Sequence, residues 1–176
     1  GTNVENIIKY FKRNPQVEVM EVFTNNPKAG VIDRIRPMRV PTNVFDTVQL
    51  KNGLLSKRIN KLKPDLIVLS GFLLKLPLEF TNLFNNKIIN IHPSLLPKHG
   101  GKGMYGNRVH QSVKDAGDKE TGISIHYVNE HYDKGSIIFQ AKTIVGERED
   151  IIQIAKKVQQ LEHKHYPIVI ENLLFP

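Results

Sequence analysis

The chain has 176 residues, 40% hydrophobic and 24% charged, and this composition suits one globular domain, here residues 1–176, within the usual range of roughly 100–200 residues. It has no Cys, which excludes a disulfide scaffold, a thiolate metal site and a cysteine nucleophile and fits an intracellular, cytoplasmic protein. The formal charge of +8 attracts anions, but the Lys and Arg residues form no basic block, and no apolar run approaches the roughly 18–20 residues that span a bilayer; neither nucleic acid nor membrane is expected as a partner.

Val4, Ile7, Ile8 and Phe11 recur at helical spacing with Asn3 as a candidate cap, so the chain opens on a helix. A segment is expected to precede Gly1. Val17 to Thr24 alternates as a strand, a turn follows around Asn26 to Gly30, and a second short strand is predicted near Met38 to Val40. Leu50, Leu54, Leu55, Ile59 and Leu62 share one face of a helix that must stop before Pro64. The almost wholly apolar run Asp65 to Gly71 reads as a buried parallel strand. A short helix over Pro77 to Phe84, a buried strand over Lys87 to Ile91, a helix over Asn107 to Lys114 and strands over Gly122 to Val128 and Ser136 to Val145 follow. The last helix runs from Asp150 to about His165, and Pro167 should break or kink its continuation. Strands alternating with helices predict an α/β domain with a mainly parallel sheet and a site at the carboxyl ends of its strands, near Gly71, His92 and Gly1.

The most informative stretch is Asn90-Ile-His-Pro-Ser-Leu-Leu-Pro-Lys98. Side chains alternate along a strand, so Asn90 and His92 project to one face, and Pro93 ends the ladder. An amide donor beside an imidazole suits acyl-type transfer, one holding an oxyanion and the other moving a proton. An Asn and His pair that merely satisfies loop backbone fits this local pattern equally well. Asp133, before a Lys-Gly turn, is by itself an ordinary turn residue; brought to His92, it would favour the imidazolium. Gly1-Thr2-Asn3 at a helix start offers amides and a hydroxyl to an anion, although an empty cap is the commoner case. Glu162 could accept from ribose hydroxyls, against the default of a solvated surface Glu. The remaining histidines give no metal-ligand spacing, and Ser94 lies on no nucleophile elbow.

In combination, the Asn90 to Lys98 stretch, the run Pro64 to Phe72 before it, and Thr121 to His126 and the Asp133 loop after it resemble the phosphoribosylglycinamide formyltransferase family, the folate-dependent formyltransferases of purine synthesis. The resemblance runs from Gly1 to about Pro167. It implies a single-domain, Rossmann-like formyltransferase fold, a mainly parallel twisted sheet with helices on both faces. The implied reaction passes the formyl group of 10-formyltetrahydrofolate, a cosubstrate, to the amine of glycinamide ribonucleotide, without a metal, in a monomer or homodimer.

By the same resemblance His92 is the general acid, Asn90 holds the formyl oxygen, and Asp133 keeps His92 protonated. Gly1, Thr2 and Asn3 match the end of the family's phosphate loop and Glu162 its ribose contact. Leu73, Leu74, Lys75 and Leu76, with Asn90, Val128, Asn129 and Tyr132, match the walls of its folate pocket. The family's first strand and the opening of its phosphate loop are not found before Gly1, the run Gly100 to Gly106 is longer than usual, and Leu74 and Lys75 depart from the commoner choices. Methionyl-tRNA formyltransferase and formyltetrahydrofolate hydrolase carry a similar Asn, His and Asp set, but the Pro-Ser-Leu-Leu-Pro context and Glu162 favour the ribonucleotide acceptor. A non-catalytic anion-binding domain is the alternative of a different class, and the presence of all three residues speaks against it.

Overall fold

A computed structural model describes residues 1–176. Helix α1 (Thr2–Phe11) buries Ile7, Ile8 and Phe11, and its N-cap is Gly1, without a side-chain bond. Asn3 is therefore not the cap that the sequence suggests. Its Nδ2 donates instead to the half-buried carboxylate of Glu162, at Oε2, at 2.8 Å, and so is turned away from the first-turn amides.

Strand β1 (Val22–Thr24) pairs in parallel with β2 (Thr42–Val44). The predicted strand from Val17 shrinks to its last three residues because β2 offers only three partners. The element expected at Met38 to Val40 is a 3-10 turn, Arg36–Met38, followed by Arg39 at φ 59°, and the strand begins only after this reversal. Helix α2 (Gly30–Ile35) lies between β1 and that turn. The single helix predicted over Leu50 to Leu62 is two, α3 (Thr47–Lys51) and α4 (Leu54–Leu62). They part at Gly53, whose φ of 80° glycine adopts without a Cβ penalty.

The second sheet has the order β3 (Ile67–Leu69), β4 (Ile88–His92), β5 (Glu120–Tyr127) and β6 (Ile137–Ile144). The pair β3–β4 is parallel, with helix α5 (Leu78–Leu83) in its crossover, and β4–β5 and β5–β6 are antiparallel. Helix α6 (Asn107–Asp115) leads into β5. The fold is mixed α/β and Rossmann-like, its parallel pairs formed by the N-terminal strands. Strands β1 and β3 each leave one edge without a strand partner, and both line an apolar cleft of about 760 Å³. Strand β3 is therefore only half-buried rather than wholly enclosed.

Helices cover both faces of the larger sheet. Ile89 and Ile91 of β4 pack with Ile123 and Ile125 of β5 against α1 and the long helix α7 (Ile151–Leu174). Ile88 points the other way, to Phe80, Phe84, Leu55 and Ile59. Full burial of each such aliphatic side chain contributes about 1.5–3 kcal/mol. Helix α7 starts at a capping box between Asp150 and Gln153 and continues for 24 residues with Pro167 inside it, where the sequence predicts a break or kink. The proline has no N–H for the carbonyl four residues back, that of His163, but Asn6 Nδ2 donates to this oxygen at 2.7 Å. The hydrogen bond that Pro167 cannot make is thus supplied from α1. Tyr166, fully buried, donates through Oη to the Leu69 carbonyl at 2.8 Å and pins α7 to the carboxyl end of β3. No helix is long and apolar enough to cross a membrane.

Candidate active site

Alternation along β4 places Asn90 and His92 on one face at the strand's carboxyl end. The antiparallel register sets Asn90 opposite His126 and His92 opposite Ser124 on β5. His126 Nδ1 lies 2.8 Å from the Tyr127 carbonyl, which can only accept, so Nδ1 carries the proton and Nε2 is a bare acceptor. Asn90 Nδ2 donates to that Nε2 at 3.2 Å. The Asn90 amide is thereby fixed, with its second N–H free to point into the site.

His92 is 3% exposed. Its Nε2 donates to the His99 carbonyl at 2.8 Å, and its Nδ1 faces Asp133 Oδ2 at 3.6 Å, too far for a hydrogen bond and close enough for charge attraction. The loop that follows Pro93 is held at several points. His99 Nδ1 meets Ser112 Oγ at 2.8 Å and its Nε2 meets Asp118 at 3.0 Å. Ser124 Oγ donates to the Ser94 carbonyl at 2.7 Å and accepts from the Leu96 amide at 2.8 Å. Asp133 takes the Gly101 amide on Oδ2 at 2.8 Å, and its Oδ1 lies 3.6 Å from His126 Nε2. Gly101 has φ 103°, so the loop needs glycine where it reaches Asp133.

Burial pushes the His92 imidazole below its ordinary value, against the charge of Asp133 and the His99 carbonyl, which favour the protonated form. The desolvation of a ring so deeply enclosed prevails, so Asp133 limits the fall rather than raising the imidazole outright, as the sequence reading expected. Burial also pushes the Asp133 carboxyl up, but the Gly101 amide and the charge of His92 hold it below the usual carboxylate value. Asp133 is therefore a carboxylate at neutral pH.

These groups open on a cavity of about 430 Å³. Gly1, Thr2, Asn3 and Glu162 line it together with Asn90, His92 and Asp133, so residues far apart in the chain share one wall. Burial raises the Glu162 carboxyl above its ordinary value, against the Asn3 hydrogen bond. Leu73 and Tyr132 also line the cavity. Leu76 is buried in the Phe80 cluster, Leu74 and Val128 pack on that cluster, Lys75 is exposed, and Asn129 Oδ1 accepts from the His131 amide at 2.9 Å. No group of three or more His, Cys, Asp or Glu side chains is placed to hold a metal ion.

The sequence alone does not single out His126, Gly101 or His110. For His126 the usable signal is strand pairing, which sets it across from Asn90. His110 lies on the buried face of α6 and lines the same cavity, as do Gly101, Gly103 and Gly106 of the long glycine-rich loop.

Residues 1–170 match the family described as formyl transferase. The chain belongs to the formyl transferase family. Among its curated relatives, phosphoribosylglycinamide formyltransferase of Haemophilus influenzae is 34% identical over 97% of this chain and 81% of its own length. The chloroplastic phosphoribosylglycinamide formyltransferase of Arabidopsis thaliana is 36% identical over 87% of this chain, and the matched region spans 54% of that relative's length. A crystal structure of phosphoribosylglycinamide formyltransferase from Bacillus halodurans superposes with a TM-score of 0.88 at 29% identity, covering 99% of this chain and 91% of that one. Within this formyl transferase the matched region contains every element that borders the 430 Å³ cavity, from α1 to the Glu162 turn of α7.

Proposed function

We propose that the chain transfers the formyl group of 10-formyltetrahydrofolate to the amine of glycinamide ribonucleotide, giving formylglycinamide ribonucleotide and tetrahydrofolate, a step of purine synthesis. The observation that carries this reading is the convergence of a locked amide N–H, an enclosed imidazole and a carboxylate on one cavity. Attack of the amine on the formyl carbon sends a pair of electrons to the formyl oxygen. The free N–H of Asn90 is aimed to hold that oxyanion, a type of contact whose removal typically costs 10²–10³ in kcat, about 2.7–4 kcal/mol. His92 then gives its Nδ1 proton to the departing folate nitrogen while Nε2 stays on the His99 carbonyl. At 3.6 Å Asp133 attracts that proton without binding it, so the proton is available to the substrate.

The acceptor's phosphate fits the start of α1, where Gly1, Thr2 and Asn3 present amides and a hydroxyl under the positive end of the helix dipole, and Glu162 accepts from the ribose hydroxyls. We assign the folate ring to the space between residues 73–76 and the 128–132 loop. There Leu73 and Tyr132 give an apolar wall and the backbone of Leu74, Lys75, Val128 and Asn129 gives hydrogen bonds, with Leu76 anchoring the segment from below. The charge of +8 suits two anionic substrates. The test is absorbance-monitored formyl transfer with and without glycinamide ribonucleotide. Turnover that depends on the acceptor supports the reading, and folate deformylation that ignores the acceptor replaces it with a hydrolase.

A further inference from the structure

Most imidazoles near the cavity are committed to the protein. His126 and His99 each have both ring nitrogens hydrogen bonded, and His92 gives Nε2 to the His99 carbonyl. His110 is different. It is 5% exposed, lies on the wall of the same cavity, and its Nδ1 is sealed from solvent without a partner. No protein group fixes its tautomer, so its Nε2 can present a lone pair to the cavity and change protonation without breaking an existing hydrogen bond. With Nδ1 sealed, a group that enters the cavity can meet this ring only at Nε2, which bonds no protein group.

We infer that His110 is the base of the reaction, accepting through Nε2 the proton of the attacking amine. The inference rests on the formyl-transfer reading and adds a fourth working side chain to it. The amine nitrogen forms its bond to the formyl carbon and loses a proton to His110. The bond from that carbon to the folate nitrogen breaks, and the leaving nitrogen takes a proton from His92. His110 returns its proton to solvent and His92 takes one up, so the enzyme is restored.

The charges around His110 support this division of labour. His92 faces the cavity from β4, Asp133 from the loop after β5 and Glu162 from α7. On its own helix Arg108 lies over the Tyr105 ring at 5.0 Å, and Lys114 donates to the Glu149 carbonyl at 2.8 Å. Burial and then the charge of His92 push the His110 imidazole below its ordinary value, with no opposing carboxylate, whereas His92 has Asp133 at 3.6 Å. His92 thus has a carboxylate beside it that favours its charged form and His110 has none, the asymmetry that an acid and a base require.

The experiment compares the full chain with His110→Gln and His110→Asn in steady-state formyl transfer across pH. The inference predicts a fall in kcat of about 10²-fold near neutrality, an unchanged KM for the folate, and loss in the variant of the rise in rate at low pH that deprotonation of His110 gives the parent, with the fall at higher pH set by His92 kept. Folded variants with unchanged kcat and an unchanged pH profile overturn it and leave His110 as packing. If neither variant folds, the parent's imidazole ¹⁵N signals decide: a His110 resonance that moves when glycinamide ribonucleotide binds supports contact, and one that does not move refutes it. A parent without acceptor-dependent turnover removes the formyl-transfer reading itself, a result distinct from any difference between parent and variant.

Discussion

Replacing His126 by Phe tests how the oxyanion donor is held. The ring of His126 touches no substrate in this account; it acts by accepting from Asn90 Nδ2 at 3.2 Å while its own Nδ1 is tied to the Tyr127 carbonyl. Phe keeps a buried ring of similar shape but offers no acceptor, so the Asn90 amide regains rotational freedom. Re-ordering one such side chain costs about 0.5–1.5 kcal/mol, which converts to a loss of roughly twofold to tenfold in kcat. Asn90→Ala removes the donor outright and should cost 10²–10³-fold. Because His126 acts through Asn90, the double variant should be no slower than Asn90→Ala alone. The assay is steady-state formyl transfer by absorbance on the four proteins, with thermal melts to confirm folding. An unchanged kcat in His126→Phe, or losses that multiply in the double variant, would refute the idea that His126 works by holding Asn90.

Three other outcomes follow from the geometry. His92 works as the imidazolium, so kcat should fall as pH rises through its depressed midpoint; Asp133→Asn removes a group that favours the charged ring and should move that fall to lower pH, read by kinetics and by histidine NMR, and an unmoved midpoint removes the role given to Asp133. Asn6→Ala leaves the His163 carbonyl without a donor and should cost about 1–3 kcal/mol in urea unfolding. In a Pro167→Ala background, where residue 167 supplies its own N–H, most of that cost should vanish, and equal costs in both backgrounds would show that the 2.7 Å bond does not stand in for the missing amide. Gly101→Val places a β-branched residue at φ 103° and should lower kcat by misplacing Asp133, with the KM for ribonucleotide little changed; parental kcat would show that the loop's hold on Asp133 is dispensable.

The working pair on β4 is legible in the sequence because a strand's period of two needs no tertiary knowledge to put Asn90 and His92 on one face. Asp133 is legible only through resemblance, since a turn aspartate gains meaning when the β5–β6 connection carries it to His92. His126 escapes because its role depends on which residue lies across the strand, and the register Asn90 to His126 is set by pairing rather than by spacing. His110 escapes because a histidine on the buried face of a helix resembles an ordinary core residue. In the fold, α7 continues past Pro167, where a break or kink is expected, and a side chain from the other end of the chain bonds the carbonyl that the proline cannot serve. The long helix over Leu50 to Leu62 divides because apolar spacing continues across Gly53 although the backbone does not.

The central claim is that formyl transfer runs through His92 at this cavity. It is tested most directly by acceptor-dependent turnover of 10-formyltetrahydrofolate in the parent and in a folded His92→Ala variant. The account predicts turnover in the parent that requires glycinamide ribonucleotide, and a loss of 10²–10⁴-fold in the variant. A folded His92→Ala chain that turns over as fast as the parent would contradict it.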